Sequence, residues 1–284
     1  MQSHSSTSAF NNCPYRHHLE KLGYRQQVVG ASDNKRVWSI ALHAALKSLH
    51  TDHTQTHARN EFSKLYPKNL DEGDRTRTIE AAFETLHSYQ ARWARDYEEW
   101  ECLEAEFDNR DDVDEDQSRL VIDLVMKHRA SGSIYFWDHK VKSKWDGQGK
   151  SFELDAQLSR YAAYVAERWG DCAGALVNVI VPQYRERKWK DRPAGWDIQF
   201  DRKLYSRTLD QIEAWKRSQA DWEQLIEYCN ASGVWPKHYG SLCAWCEFFD
   251  GCMAESHGSG SEIWETLYRP GAELAQDFNV EVED

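Results

Sequence analysis

Apolar residues in the first third of the chain recur at helical spacing. Five of them fall on one face of the segment KRVWSIALHAALKSLH: Trp38, Leu42, Ala45, Leu46 and Leu49. This spacing predicts an amphipathic helix. The segment PYRHHLEKLGY and residues 75–100 have the same character. The N-terminal part is therefore predicted to be helical.

The pattern changes at residue 119. The runs RLVIDLVMK and SIYFWDHK are β-branched and aromatic, and HRASG between them predicts a hairpin with Gly132 in the turn. FELDAQLSRYAAYVAERWG predicts a helix that ends at Gly170. GALVNVIVPQ predicts a buried strand, GWDIQFDRK a segment that pairs near it, and SRTLDQIEAWKRSQADWEQLIEYCNASG a last long helix. This order predicts an α/β or α+β core, a mixed central sheet flanked by helices.

Composition narrows the class of protein. The chain has 284 residues, no apolar run of about 18 residues, and a start without a basic segment or a continuous apolar segment. We therefore expect a cytoplasmic globular protein rather than a membrane or secreted one. Its seven cysteines are then more typical of thiols or metal ligands than of disulfides.

The net charge of −12, taken alone, disfavours a nucleic-acid partner, because phosphate binding depends on Lys and Arg. The charges are unevenly placed, however. Residues 96–116 and the C-terminal tail are acidic, whereas Lys140, Lys142, Lys144, Lys150 and the run YRERKWKDR are basic. Each run by itself is typical of a solvated face. The cations gathered around Asp138 indicate a site instead.

Asp138 and Lys140 are two residues apart in a predicted strand and therefore project from the same face. Asp123 lies in the preceding apolar strand, where an unpaired carboxylate is costly to bury. If the strands are hairpin partners, the two aspartates can share a divalent ion such as Mg²⁺, with Lys140 beside the metal-bound water. Such a site would hydrolyse a phosphodiester. The alternative is a plain Asp138–Lys140 salt bridge at a sheet edge.

Gln157 and Tyr161 are four residues apart on the following predicted helix and therefore share a face. The succession VID, WDHK and QLSRYAAY resembles the nuclease domain of the PD-(D/E)XK superfamily, in particular its RecB-type branch. That branch has an Asp, a (D/E)-x-K triplet and a Q-x-x-x-Y helix in this order. The resemblance implies a restriction-endonuclease-like core and metal-dependent cleavage of DNA.

The resemblance also implies roles for individual residues. RecB-type exonucleases carry a metal-binding histidine on an N-terminal helix, and SIALHAAL offers His43, with Ser39 where the family often has Gly. A lone helical histidine is otherwise usually structural. The implied ligands of Mg²⁺ or Mn²⁺ are His43, Asp123, Asp138 and the backbone carbonyl of His139. Lys140 would position the water, and Gln157 and Tyr161 would support it.

Two positions depart from the family pattern. LVID lacks the Gly often found before the Asp, and Val141 replaces a common Thr. Neither departure removes a functional group from the implied site.

CAWCEFFDGC places Cys243, Cys246 and Cys252 near the C-terminus, where three thiols can wrap a soft metal centre that needs a fourth ligand. Cys13 is the candidate fourth ligand. With the opening SAFNNCPYR, the arrangement resembles AddB-like and CRISPR-adaptation nucleases, in which one Cys before the core and three after it bind a 4Fe-4S cluster. Structural Zn²⁺ and unrelated thiols are the alternatives. We interpret Cys102, Cys172 and Cys229 as packing residues.

We expect residues 1–284 to form a single nuclease domain. Residues 1–100 would be its N-terminal helical part, 101–204 its catalytic α/β core and 205–284 its C-terminal helical part. The cluster would clip the two ends of the chain together.

The leading hypothesis is a metal-dependent DNA exonuclease in recombination, repair or replication, compatible with a phage setting. DNA that is single-stranded or has a free end would be guided by lysines 142, 144 and 150 and by arginines 185, 187 and 192. Trp145 and Trp189 would stack bases or belong to the core. The alternative is a nuclease-fold subunit that binds DNA or assists assembly without catalysis.

Overall fold

The computed structural model describes residues 9–26, 32–67, 77–108, 120–144, 148–186, 195–258, 264 and 268–270. The chain divides into two compact units. The core unit is Ala31–Lys216, and the terminal unit combines Met1–Gly30 with Arg217–Asp284. Among the described residues, no helix is both long enough and apolar enough to cross a membrane.

Eight α-helices are described within these ranges. They are α1 Pro14–Lys21, α2 Ser32–Thr51, α3 Gln55–Leu65, α4 Ile79–Arg92, α5 Asp96–Glu99, α6 Ala156–Trp169, α7 Leu209–Ser232 and α8 Phe249–Ser256. Two 3₁₀ turns span Gln148–Leu154 and Ser241–Trp245.

A mixed five-stranded sheet forms the centre of the core unit, as the sequence predicts. Its strands are β2 Trp100–Asp108, β3 Val121–His128, β4 Ile134–Val141, β5 Gly174–Arg185 and β6 Gly195–Ser206. They lie in that spatial order, and only the β4–β5 pair is parallel. The terminal unit contains a small antiparallel pair, β1 Tyr24–Gln26 with β7 Tyr268–Pro270.

Both faces of the sheet are covered, which explains the nearly continuous apolar runs of β3 and β5. Leu158, Ala162 and Val165 of α6 pack with Phe136 and other residues of one face. A second cluster joins the apolar face of α2 with α3, α4 and Ile180 of β5. The helical spacing of the N-terminal segment thus identifies its buried face correctly.

Two predicted turns have the expected backbone. Gly132, in the β3–β4 hairpin, has φ +75°, and Gly170, which ends α6, has φ +78°. A residue with a side chain is strained in this left-handed region, so glycine suits both positions.

The helix predicted for residues 75–100 is wrong in its extent. Helix α4 ends at Arg92, α5 is a single turn, and Trp100 begins strand β2. The segment WECLEAEFD is an edge strand whose residues are mostly half-buried, and its acidic residues mask its strand character. A β-bulge between Cys102 and Glu104 also breaks the two-residue alternation.

Candidate active site

Strands β3 and β4 bring Asp123 and Asp138 to the same place on the sheet. Leu124 pairs with Trp137, and each aspartate is the next residue beyond that pair. The hairpin register therefore sets the two carboxylates opposite each other. Asp138 is 5% exposed, so its charge must be compensated by neighbouring groups rather than by water.

Asp123 is held from two directions. Nδ1 of His43, on α2, lies 3.0 Å from its Oδ1. The backbone amide of His139 donates a hydrogen bond of 2.6 Å to its Oδ2. Burial alone would raise the pKa of Asp123, but the charge and hydrogen bond of His43 and the His139 amide hold that pKa well below its usual range. Asp123 is therefore an ionised carboxylate.

Asp138 begins a continuous chain of hydrogen bonds to helix α6. Lys140 Nζ donates to Asp138 Oδ1 at 3.0 Å and to Gln157 Oε1 at 2.9 Å. Gln157 Nε2 in turn donates to the Tyr161 hydroxyl at 2.8 Å. Asp155 caps α6 by accepting from the Leu158 amide, which fixes the start of the helix that presents Gln157.

Together, burial and the neighbouring charges raise the pKa of both Asp138 and Lys140. Burial raises the pKa of Asp138, and the negative charge of Asp123 adds to this effect against the attraction of Lys140. Burial lowers the pKa of Lys140, but Asp138 more than compensates, so its pKa lies above the usual value. Lys140 is therefore an ammonium and a hydrogen-bond donor.

The donor set of this site suits a hard cation. Two carboxylates and one imidazole lie near one another, with side chains at most 24% exposed. Their carboxylate oxygens are the ligands that Mg²⁺ and Mn²⁺ prefer. Asp138 Oδ2 is buried without a hydrogen bond of regular geometry, although Lys140 Nζ lies 2.9 Å away. Across the described part of the chain, however, no three His, Cys, Asp or Glu side chains form a ready cation site. A cation would have to replace the contacts that these groups make with one another.

Within the described part of the chain, the imidazole of His139 is buried but does not make the hydrogen bonds that a buried polar group usually makes. Its ring is 3% exposed, and neither ring nitrogen has a hydrogen-bond partner among the described residues. Burial lowers the pKa of the imidazole to about 3, so the ring is neutral. Its backbone amide, not its side chain, contacts Asp123. The proposed role of its carbonyl as a ligand stays a prediction.

A buried ion pair behind β4 escaped the sequence analysis. Arg202 of β6 makes two hydrogen bonds to Asp96, at 2.8 and 2.7 Å. Its guanidinium also donates to the Tyr89 hydroxyl at 3.1 Å and lies over the ring of Trp137. In the sequence, Asp96 is part of the acidic run at residues 96–116. No feature of the sequence distinguishes it as a residue buried against an arginine.

The four predicted cluster cysteines line one cavity of about 90 Å³ in the terminal unit: Cys13, Cys243, Cys246 and Cys252. None of the seven cysteines, all among the described residues, forms a disulfide. Burial raises the pKa of Cys252 to about 11 and also raises that of Cys246. The interpretation of the other three as packing residues agrees with buried Cys172 and Cys229 and half-buried Cys102.

The residues predicted to guide DNA are described only in part. Lys144 is exposed, the Lys142 ammonium lies over the Phe152 ring, and Arg185 pairs with Asp197 at 3.6 Å. The remaining residues of that prediction lie outside the described ones: Trp145, the Lys150 side chain, Arg187, Trp189 and Arg192.

Comparison with known proteins gives one family and a distant structural similarity. The model of the PD-(D/E)XK nuclease superfamily matches residues 2–253. A crystal structure of a "Putative exonuclease" from Eubacterium rectale aligns with a TM-score of 0.38 and 14% sequence identity, covering 84% of this chain and 85% of that one. No protein with curated annotation is similar enough in sequence to match.

Proposed function

Because the chain belongs to the PD-(D/E)XK nuclease superfamily, we propose that it is a Mg²⁺- or Mn²⁺-dependent exonuclease that hydrolyses DNA from a free end. The observation that carries this proposal is the chain of contacts from Asp138 through Lys140 and Gln157 to Tyr161. It connects an acidic residue, a cation and a supporting helix at one buried point beside Asp123.

His43, Asp123 and Asp138 are the proposed metal ligands, with the carbonyl of His139 as a further one. A bound divalent cation would neutralise charge on the phosphate and lower the pKa of the attacking water. The contacts of His43 and the His139 amide orient the Asp123 carboxylate toward this task. Preorganised ligands avoid the cost of rearrangement during the reaction.

Lys140 is the proposed residue that orients the attacking water. Its ammonium is fixed by Asp138 and Gln157, so a donor N–H can be directed at a water molecule without further ordering. Gln157 is itself held by Tyr161, which restrains the amide rotation. This arrangement favours catalysis over a plain surface salt bridge, since the Lys140 and Asp138 side chains are only 27% and 7% exposed.

The finer properties belong to the same proposal. The proposed substrate is DNA that is single-stranded or has a free end. The proposed role is in recombination, repair or replication, and a phage origin is compatible with that role. The cysteine cavity is the proposed site of a 4Fe-4S cluster, as in AddB-like relatives, and structural Zn²⁺ is the alternative. The four thiols around one cavity support this proposal. Among the described residues they do not form a ready metal site, so they would have to rearrange to bind one.

Digestion of DNA labelled separately at each end tests the activity and its polarity. Wild-type protein is expected to release nucleotides with Mg²⁺ or Mn²⁺ and to stop in EDTA. Lys140→Ala is expected to lose roughly 100-fold or more of the rate, since positioned proton-transfer groups contribute at least that much. Lys64→Ala removes an exposed lysine of α3 that has no role in the proposed site and serves as the control.

Equal rates for wild type and Lys140→Ala would overturn the catalytic assignment. DNA binding without metal-dependent digestion would instead favour the alternative, an assembly subunit with a nuclease fold. For the cluster, anaerobically purified protein is expected to be brown. Colourless protein with stoichiometric zinc would replace the iron-sulfur assignment.

A further inference from the structure

Lys47 and Glu106 form an ion pair beside the proposed metal site. Lys47 follows His43 by four residues on α2, so both side chains project from one helix face, about 6 Å apart along the axis. Lys47 Nζ lies 3.3 Å from Glu106 Oε2. Neither residue belongs to the chain of contacts that joins His43, Asp123, Asp138 and Lys140.

Glu106 occupies an unusual place on strand β2. The neighbouring pairs are Ala105 with Leu124 and Phe107 with Ile122, so Glu106 falls level with Asp123 between two pairs without itself being a paired residue. Its φ of +48° is in the left-handed region, although it is not a glycine. Strained backbone of this kind persists where the surrounding structure enforces it, and it concentrates at functional sites.

The stability that the Lys47–Glu106 ion pair contributes does not account for the strained backbone of Glu106. The Lys47 and Glu106 side chains are 42% and 32% exposed. A pair with this exposure contributes little to stability, because water screens it and two long side chains lose freedom. A left-handed non-glycine residue costs more than such a pair usually returns. The arrangement is therefore better explained by function.

Lys140 is poorly placed to bind a second phosphate of the DNA strand. Lys140 already donates to Asp138 and Gln157, and its side chain is largely buried. A DNA strand carries a phosphate at every nucleotide, so a strand with one phosphate at the metal site presents others nearby. Lys47 lies one helical turn from His43 and is open to solvent, which suits contact with such a phosphate.

We propose that Lys47 binds a backbone phosphate adjacent to the cleaved bond, and that Glu106 holds the ammonium until the phosphate replaces it. This inference rests on the proposed nuclease function and adds a substrate contact to it. Lys47 is then a binding residue and Glu106 a positioning residue that competes with the substrate.

Removal of each partner is expected to change DNA affinity in opposite directions. Lys47→Ala should raise KM roughly tenfold through loss of one charge-assisted contact, with kcat nearly unchanged. It should also reduce the log–log salt slope of DNA binding by about one. Glu106→Gln removes the competing charge and should lower KM. Lys47→Arg retains the cation and should restore the wild-type slope.

Lys64 and Glu61 provide a matched control pair on α3. They form an ion pair of 2.5 Å and are even more exposed, at 67% and 40%. Lys64→Ala and Glu61→Gln are expected to leave KM and the salt slope unchanged. KM and kcat would be measured on end-labelled DNA with Mn²⁺, and the slope from binding between about 50 and 200 mM salt.

Three results would overturn the inference. In the first, wild-type protein digests DNA but Lys47→Ala keeps the wild-type KM and salt slope, so the proposed function stands without this contact. In the second, the control variants change KM as much as the Lys47 and Glu106 variants, which would indicate only a general effect of surface charge. Wild-type protein that neither binds nor digests DNA would refute both proposals together.

Discussion

The Arg202–Asp96 ion pair allows a quantitative test of how the core unit supports the site. The two side chains are only 9% and 7% exposed, so neither charge is well solvated. Burial raises the pKa of Asp96, whereas Arg202 opposes that shift with its charge and hydrogen bonds. Arg202→Met would therefore leave a buried carboxylate without its main partner.

The expected loss in the free energy of unfolding follows from the contacts between Arg202 and Asp96. Two hydrogen bonds join the guanidinium to the carboxylate, at 2.8 and 2.7 Å, and hydrogen bonds to charged groups contribute about 1.5–3 kcal/mol each. Their sum agrees with the roughly 3–5 kcal/mol measured when one partner of a buried pair is removed. The double variant Arg202→Met/Asp96→Leu removes both charges and should lose far less than either single change.

Equilibrium unfolding in urea, followed by tryptophan fluorescence, measures these changes in the free energy of unfolding. If the free energy of unfolding of Arg202→Met lies within about 1 kcal/mol of the wild-type value, water or another group already compensates the charge of Asp96. The cost expected for an unpaired buried charge would then be absent. A double variant as unstable as the sum of the single variants would also refute the reasoning, because the pair would then show no coupling.

Three further changes have defined outcomes. Gly174→Ala should prevent normal β5–β6 pairing and lower the melting temperature, since its Cβ would lie 2.4 Å from the Tyr205 carbonyl oxygen. Tyr161→Phe should reduce the digestion rate roughly fivefold, because Gln157 loses a hydrogen-bond partner that restrains it, a contact of about 1 kcal/mol. Burial would raise the pKa of Glu255, but hydrogen bonds lower it overall. The ionised carboxylate should therefore stabilise the fold near neutral pH, and this stabilisation should be lost as the pH falls through the folded-state pKa. Glu255→Gln should flatten this dependence of stability on acid pH.

Each of these changes has a control. Gly240→Ala places a Cβ in open space and should leave the melting temperature unchanged. Tyr239→Phe alters an exposed tyrosine and should keep the wild-type digestion rate. Glu213→Gln alters a 55% exposed carboxylate, and an acid dependence that changes equally in this variant would contradict the role of Glu255.

The sequence predicted most of the contacts within the candidate site because those contacts follow local periodicity. Asp138 and Lys140 share a face since strand side chains alternate, and they are in contact. Gln157 and Tyr161 share a helix face, and their hydrogen bond is present. His43 was different: it lies 80 residues before Asp123, and only the family resemblance joined them.

Strand β2 shows where local periodicity fails. A bulge and several half-buried acidic side chains make this edge strand difficult to recognise from its sequence. The sequence did not indicate Glu106 for the same reason, because its proposed role depends on its position across from Asp123. Register across two strands cannot be read from either strand alone.

The amino-acid sequence alone was enough to predict the sheet-and-helix core and the hairpin that carries the two aspartates, and it indicated four cysteines that could share one centre. The burial of Arg202 against Asp96 and the contact of Lys47 with Glu106 became evident only from the folded chain. The physical reason is the range of the forces involved. Backbone geometry fixes which neighbouring residues share a face, whereas partners distant in sequence meet only after whole elements pack and water is excluded between them.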